Sequence, residues 1–314
     1  MIDLKNLCKF NKIAIAIHTR PDGDAIGSSS ALKLGFSQLG KEVDLLCDCC
    51  VPEKLRFLSG VGEYKKTADV KYDLVVFCDC GDESRIGAIK LDLKGSKIAI
   101  IDHHATSESC GDYNMIYPNV SSASEIVLEI LEANGLEITG DMANLLYAGL
   151  MTDTGNFCHT NVTAKTFEHA AKLVSYGANP NLLSRRVFKL LEGNKYKLVG
   201  RALQSVRLFD DGKVAYIYIS KDMLEKTGCD VSETEGIIDF ALSIEGVQIA
   251  AVMTDGVKSG SYKISLRSID RIDVSRAAAT VGGGGHKQAS GCMLFGEYYE
   301  AEEKLLKLLS KYTV

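Results

Sequence analysis

The sequence lacks several features that would indicate a membrane or secreted protein. Its 314 residues include no tryptophan. No uninterrupted apolar run approaches the roughly 18 residues that a membrane-spanning helix needs. The N-terminal segment lacks the short apolar core and small-residue cleavage site of a secretion signal. These absences argue against a membrane role, and we expect the protein in the cytoplasm.

Zinc-site cysteine patterns and a strong positive charge are also lacking. The densest cysteine cluster, Cys47, Cys49 and Cys50, has no matching Cys or His pair at zinc-site spacing. We interpret the ten cysteines as reduced thiols that pack in the core or lie at the surface. A net charge of −5 argues against a broad basic face for long nucleic acid, but it is compatible with a small anionic ligand in a local pocket.

The sequence does contain apolar strands that alternate with amphipathic helices. The predicted strands of the first half cover residues 12–18, 42–47, 72–79 and 96–102, and the predicted helices cover residues 25–40, 122–133, 141–151 and 163–176. Continuous apolar strands separated by helices are typical of a parallel sheet covered on both faces.

The length, about twice that of a usual domain, predicts two domains. The second half has predicted strands at 213–220, 247–255 and 261–268, and predicted helices at 233–243 and 298–309. We therefore predict an α/β domain with a mostly parallel sheet flanked by helices over residues 1–185, and a smaller α/β domain over 210–314. A connecting helical segment would cover residues 186–209.

Ionisable side chains cluster where the predicted strands of the first half end. They are His18, Asp22, Asp24, Asp79, Asp102, His103 and His104, with Asp153 after a later helix. Taken singly, each aspartate is more often a helix cap or turn residue than a ligand, and each histidine is more often a partly buried side chain with satisfied hydrogen bonds. Because parallel strands end at the same edge of a sheet, so many like charges would repel one another unless cations are bound. The cluster therefore predicts a metal site.

The chemistry of these side chains narrows the choice of ion. Carboxylates mixed with imidazoles favour Mn²⁺ or a similar divalent ion over structural zinc or calcium. There are more candidate ligands than one ion needs, so we predict two ions that share a bridging carboxylate. Such a pair activates a water and stabilises charge on a phosphoryl group, which suits phosphoester hydrolysis. Cys78 and Cys80, beside Asp79, could also bind metal, but packing is the favoured interpretation.

A second candidate site is the glycine-rich stretch near the C-terminal end. Backbone N–H groups of the run Gly282, Gly283, Gly284 and Gly285 can face an anion without interference from side chains. His286 and Lys287 follow, and Arg267 and Ser268 end the preceding predicted strand. A flexible loop would explain the glycines alone. The neighbouring basic residues favour anion binding.

Five motifs together resemble a known family. The chain resembles the DHH phosphoesterases with a DHHA1 companion domain, most closely the stand-alone NrnA-type oligoribonucleases, or nanoRNases. The resemblance covers nearly the whole length. The motifs occur in the family's order: HTRPDGDAIGSSSAL, VVFCDCGDESRIG, IDHHAT, GLMTDTGNF and VGGGGHKQASG.

The resemblance implies a role for each candidate residue. One Mn²⁺ would be held by His18, Asp22 and Asp79, and the other by Asp24, Asp79, His103 and Asp153. Asp102 would orient its neighbours without binding an ion. The expected catalytic residues are Asp79, as the bridge, and His104, as the contact to the scissile phosphate and acid to the leaving group. Substrate would also bind Arg267, Ser268, Gly283, Gly284, Gly285 and His286.

The implied activity is Mn²⁺-dependent, two-metal hydrolysis of RNA fragments of about two to five nucleotides, with adenosine 3′,5′-bisphosphate as a further substrate. A cyclic dinucleotide, or its linear product pApA, is the alternative substrate. A pyrophosphatase is disfavoured by the GGGGH segment, and a silent nucleotide-binding module by the intact ligand set. Family members are often dimers, so the resemblance also suggests a homodimer.

Overall fold

The computed structural model describes residues 6–7, 9–68, 70–107, 109–190, 193–256, 258–269 and 271–313. The chain folds into two compact units, residues 1–190 and 191–314. The boundary between them falls inside the predicted connecting segment. That segment contains a π-helical turn at Arg185–Lys189 and a helix at Gly193–Gln204. The finer domain limits stay a prediction.

A six-stranded parallel sheet lies at the centre of the first unit. Its strands are β1 (Lys12–Ala16), β2 (Glu42–Leu46), β3 (Tyr64–Lys65), β4 (Leu74–Cys78), β5 (Lys97–Asp102) and β6 (Tyr113–Ile116). They lie in the order β3-β2-β1-β4-β5-β6, and every neighbouring pair is parallel. The order reverses between β1 and β4, the place where open sheets of this kind bind ligands at the carboxyl ends of their strands.

Helices flank this sheet, as the apolar strands predicted. They are α1 (Gly23–Gln38), α2 (Ala123–Ala133), α3 (Gly140–Asp153), α4 (Ala164–Ser175) and the short α5 (Pro180–Ser184). Strand β4 is buried along its whole length, which explains its unbroken apolar sequence. The predicted α/β architecture is confirmed. No helix among the described residues is long and apolar enough to cross a membrane.

The second unit contains a six-stranded mixed sheet in the order β11-β12-β10-β9-β8-β7. Its strands are β7 (Arg207–Phe209), β8 (Val214–Ile219), β9 (Ile249–Asp255), β10 (Ser261–Ser268), β11 (Gly284–His286) and β12 (Ala289–Phe295). Its helices are α6 (Gly193–Gln204), α7 (Lys221–Thr227), α8 (Ile237–Leu242), α9 (Val274–Ala279) and α10 (Tyr298–Leu309). One core packs α6, α7 and α8 on one face, and another packs α9 and α10 on the other.

Part of the glycine-rich stretch forms a strand instead of a loop. Gly284 and Gly285 belong with His286 to the edge strand β11, which pairs antiparallel with β12. Sequence patterns missed this strand because glycine supplies no side chain to produce an alternating apolar pattern and is depleted in strands. The pairing fixes which face of the sheet His286 occupies.

Candidate active site

The ends of β1, β4 and β5 bring the predicted ionisable side chains together at one edge of the first sheet. We call the set His18, Asp22, Asp24, Asp79, Asp102, His103, His104 and Asp153 the acidic cluster. Its ligand atoms form three groups, in each of which all atoms lie within 4.8 Å of one another. Two of these groups are His18, Asp22 and Asp79, and Asp24, His103 and Asp153. The third contains Asp79, Asp102, His103 and His104.

Asp79 lies between the two groups that carry most of the ligands. Its Oδ2 is 3.5 Å from His18 Nε2, and its Oδ1 is 3.5 Å from His103 Nε2. Asp79 has a φ of 52°, a left-handed backbone conformation that is unfavourable for residues other than glycine. Its backbone amide donates a hydrogen bond to Ile101 O at 2.8 Å. One carboxylate thus presents one oxygen to each group, as a bridging ligand must.

The surroundings of His103 fit a divalent cation. Its Nε2 lies 3.0 Å from Asp153 Oδ2 and 3.8 Å from Asp24 Oδ2, in addition to the Asp79 contact. Within the described part of the chain, neither His103 Nε2 nor Asp79 Oδ1 has a partner with hydrogen-bond geometry, although both atoms are buried. Buried polar atoms without partners cost free energy. A metal ion ligated by both atoms would remove that cost.

Burial and the crowding of charges shift the pKa values of several residues in the acidic cluster. Burial, and then the negative charges of Asp79 and Asp153, raise the pKa of Asp24 well above its usual range. The protein packed around Asp22 and the charge of Asp79 raise the pKa of Asp22 as well. Burial alone would lower the pKa of His103, but Asp153 and Asp79 raise it to about 11. Protons therefore offset the negative charge in the ion-free protein, at positions that cations would take.

The start of α1 shows that Asp22 is also a helix cap. Its Oδ1 accepts hydrogen bonds from the amides of Asp24 and Ala25, each at 3.0 Å. Between the two aspartates, a Cβ atom on Gly23 would lie 2.3 Å from Thr152 Oγ1 on α3. Glycine is needed there because α1 and α3 approach closely, and this approach brings Asp22 and Asp24 near Asp153. The cap and ligand interpretations of Asp22 are compatible.

Sequence reasoning missed the support of Asp24 by the first turn of α2. Ala123 N donates to Asp24 Oδ2 at 2.5 Å, and Ser124 donates to Oδ1 through its amide at 2.9 Å and its hydroxyl at 2.5 Å. Amides at a helix N-terminus stabilise a carboxylate. The run SSASE indicates a helix start, since Ser122 caps α2. No local pattern indicates that a carboxylate 99 residues away is the partner of this turn.

Asp102 holds His104 rather than pointing into either main ligand group. Its carboxylate accepts from the amides of His103 at 2.7 Å and His104 at 3.1 Å, from the Ser107 hydroxyl, and from His104 Nδ1 at 2.7 Å. Burial alone would raise the pKa of Asp102, but His104 and Ser107 lower it to about 2. The hydrogen bond to Asp102 raises the pKa of His104. With Nδ1 engaged, Nε2 is the nitrogen of His104 available to a substrate.

The cysteines next to Asp79 pack as the sequence suggested. Cys78 and Cys80 are buried, and no cysteine occurs in the candidate metal groups found among the described residues. Burial raises the pKa of the Cys80 thiol to about 12. Since metal ions bind thiolates, this environment disfavours a role for Cys80 as a ligand.

The predicted substrate residues lie in the second unit. Arg267 and His286 both pair with Ala289, which places the three side chains on one face of the sheet. Gly284 pairs with Gly291 in the next row of the same face. Gly283 directly precedes β11, and Gly285 lies within it. Ser268 is not brought together with them, because it is buried and its hydroxyl donates to Ile272 O at 2.7 Å.

Comparisons with known proteins agree with these observations. The DHH family N-terminal domain matches residues 12–150, and the DHHA1 domain matches residues 211–314. The chain belongs to the DHH/DHHA1 phosphoesterase family. The family resemblance predicted from the five motifs is thus confirmed, and this DHH/DHHA1 protein is an enzyme of the phosphoesterase class.

Two relatives named NrnA match the DHH/DHHA1 chain over most of their length. The bifunctional oligoribonuclease and PAP phosphatase NrnA of Thermus thermophilus is 29% identical over 298 residues, which cover 94% of this chain and 88% of that one. The Bacillus subtilis protein of the same name is 28% identical over 308 residues, which cover 97% of this chain and 96% of that one. The crystal structure of an exopolyphosphatase-related protein from Bacteroides fragilis superposes with a TM-score of 0.85, at 26% identity and 98% and 95% coverage.

Proposed function

We propose that the protein uses two divalent ions, preferably Mn²⁺, to hydrolyse oligoribonucleotides of about two to five nucleotides to mononucleotides. We propose adenosine 3′,5′-bisphosphate as a second substrate, from which the 3′-phosphate is removed. The observation that carries this proposal is the meeting of two ligand groups at the two oxygens of Asp79. The near-complete overlap with the two NrnA relatives supports the choice of substrates.

The acidic cluster supplies two ligand sets for the ions. His18, Asp22 and Asp79 would hold one, and Asp24, Asp79, His103 and Asp153 the other. When bound, two ions of this kind supply an activated water and stabilise the negative charge that develops on a phosphoryl group. The protein's own contribution is rigidity, because the α2 turn fixes Asp24 and the left-handed backbone fixes Asp79.

His104 would act on the substrate directly. Asp102 holds its ring through Nδ1 at 2.7 Å, so Nε2 can donate a hydrogen bond to an oxygen of the scissile phosphate. The negative charge of Asp102 favours the protonated ring, which can then transfer a proton to the leaving oxygen. The greater exposure of the His104 side chain, 37% against 12% for His103, suits this contact.

The second unit would bind a phosphate of the substrate. The guanidinium of Arg267 can donate two hydrogen bonds to a phosphate, and His286 lies across Ala289 in the same row. Ala289 lies between them, and its small side chain leaves the backbone accessible. A homodimer and a cytoplasmic location stay predictions.

A substrate panel tests the proposal. The purified protein would be incubated with Mn²⁺ and with a labelled dinucleotide, pApA, cyclic di-AMP or adenosine 3′,5′-bisphosphate. We expect mononucleotides from the dinucleotide and AMP from the bisphosphate. Consumption of the cyclic compound alone would favour the cyclic-dinucleotide alternative and refute the oligoribonuclease proposal. An Mn²⁺-loaded protein that consumes none of the four would refute the proposed substrates.

A further inference from the structure

One face of the second sheet is covered by helices over only part of its width. Among the described residues, helices α6, α7 and α8 pack on this face mainly against β8 and β9, through residues such as Ile217, Ala250 and Val252, and α8 also contacts β10. The same face continues across β10, β12 and β11. We call this continuation the open face. Its residues are Lys263, Ser265, Arg267, Gly284, His286, Ala289, Gly291, Met293 and Phe295.

The register of the strands assigns these residues to one side. Paired residues in an antiparallel ladder point to the same face, and successive residues alternate between faces. Three rows result. Arg267, Ala289 and His286 form the first row, Ser265, Gly291 and Gly284 the second, and Lys263 and Met293 the third. Phe295 follows Met293 at the end of β12 on the same side.

Burial follows this alternation along β12. On the open face Met293 is 41% exposed and Phe295 is 73% exposed. Their neighbours on the opposite face, Cys292 and Leu294, are 8% and 3% exposed and belong to the core with α9 and α10. Large apolar side chains held at the surface by a regular strand indicate a contact surface rather than a core.

The chemistry of the open face favours single-stranded nucleic acid as its ligand. Arg267 and Lys263 on β10 supply positive charge, and Met293 and Phe295 on β12 supply flat or flexible apolar surface beside it. A basic groove with aromatic side chains is the combination that binds unpaired nucleotides, because phosphates meet cations while bases stack on rings. Among the described residues, Asp239 on α8 is an acidic group on the Arg267 side, and Glu300 on α10 lies near Gly296, which follows Phe295. Phe295 lies at the other end.

The length of this surface matches a short oligonucleotide. From Ala289 to Phe295 the strand advances about 20 Å, at about 3.3 Å per residue. Stacked nucleotides rise about 3.4 Å each along one strand, so several fit within that distance. Ala289 carries only a methyl group and Gly291 has no side chain, so the surface is flat at the end next to Arg267.

We propose that the open face continues the phosphate site of Arg267 and His286 as a track for the bases of a single-stranded oligoribonucleotide. Phe295 and Met293 are its stacking surfaces, and Lys263 is a phosphate contact. This inference rests on the proposed function for its ligand class. It adds a base-binding subsite that favours oligonucleotides over a dinucleotide.

Binding measurements on the full chain test this proposal separately from catalysis. In a background of Asp79→Asn, which stops turnover, calorimetry would compare Phe295→Ala with Phe295 for a dinucleotide and a five-nucleotide RNA. We expect the dissociation constant of the longer RNA to rise about tenfold. That of the dinucleotide should change less than twofold. Lys263→Gln should lower the slope of log affinity against log salt by about one.

Tyr299→Ala is the matched control, because Tyr299 is 79% exposed on α10, the helix that packs on the opposite face. It should leave both affinities unchanged. A five-nucleotide RNA without bases at its distal positions should bind Phe295 and Phe295→Ala proteins equally. Equal loss for intact and abasic RNA would overturn the stacking role.

Sedimentation of the same proteins addresses the other occupant of such a surface, a second copy of the chain. If Phe295→Ala converts a dimer to a monomer and leaves RNA affinity unchanged, the open face is a subunit interface and the proposal is wrong. Length-dependent RNA binding by a protein that hydrolyses no RNA would refute the proposed function and leave this inference standing.

Discussion

The acidic cluster of the first unit and the open face of the second differ in burial and in how their side chains are held. In the cluster, Asp24 and Asp79 are buried, and their oxygens are fixed by a helix terminus and by a constrained backbone. On the open face, the side chains alternate outward from a regular ladder and keep their solvent contact. Burial strengthens the electrostatic interactions of the cluster and holds its oxygens in fixed positions, which suits catalysis. Exposure leaves the side chains of the open face accessible for reversible binding.

The comparison leads to a general expectation. Changes in the cluster should reduce turnover or ion affinity, because they alter groups that act on the reacting phosphate. Changes on the open face should weaken binding and leave turnover at saturation intact.

Asp79→Ala should abolish hydrolysis, with a loss in kcat of roughly 10⁴-fold or more. The substitution removes the carboxylate that serves both ligand groups. Circular dichroism should show an unchanged fold, and titration with Mn²⁺ should show that both ions bind weakly. Asp92→Ala, at an exposed position of the same unit, should keep full activity. A fully active Asp79→Ala protein would refute the bridging role.

Arg267→Ala should raise KM about 10- to 100-fold with kcat nearly unchanged, because a charge-assisted contact to phosphate contributes to binding in ground and transition state alike. Steady-state kinetics with a dinucleotide measures both constants. Arg276→Ala provides a control, since Arg276 is exposed on α9, against the other face of the sheet. A fall in kcat with constant KM would place Arg267 in the catalytic machinery instead.

Ser124→Ala should weaken Mn²⁺ binding about tenfold, because partners that orient a metal ligand typically contribute that much to affinity. The variant removes the hydroxyl that donates to Asp24 Oδ1 at 2.5 Å. Isothermal titration of the metal-free protein gives the affinity without reference to activity. Ser122→Ala is the control, since it removes the α2 cap and lowers stability, and the Ser122 hydroxyl is not among the hydrogen-bond donors to Asp24 in the described part of the chain. Equal affinities for the two variants would disprove the positioning role of Ser124.

Removal of ions should destabilise the protein more at about pH 8 than at about pH 5. The folded-state pKa of Asp24 is raised, so the ion-free folded protein binds protons that the unfolded chain releases, and its stability falls as pH rises. His103 acts in the same direction, because its stabilising charge is lost as pH rises from its ordinary value towards about 11.

We expect bound Mn²⁺ to replace those protons. Thermal unfolding should therefore show a melting temperature higher by about 5 °C or more with Mn²⁺ than with EDTA at the higher pH. The difference should be smaller at the lower pH, where protons compete with the ions. A difference that is the same at both pH values would contradict this account of the cluster.

Two features show how far local sequence carries a structural prediction. The strand that contains Val75, Val76 and Phe77 was recognisable because a strand covered on both faces must be apolar at every position. The edge strand β11 was not, because glycine has no side-chain pattern. Similarly, the arginine and serine that end β10 looked equivalent in sequence, but alternation places Arg267 on the open face and Ser268 in the core.

Local sequence was enough to predict the fold class, the apolar strands β1, β2, β4 and β5, and the ionisable residues at the ends of β1, β4 and β5, because apolar periodicity and strand ends are properties of neighbouring residues. Packing between distant segments is what sets Asp79 against His18 and His103 with separate oxygens. Only the tertiary structure decided that the α2 turn supports Asp24, and that Arg267 and His286 share a row with Ala289. These relations depend on packing and register between segments far apart in the chain, which no local pattern encodes.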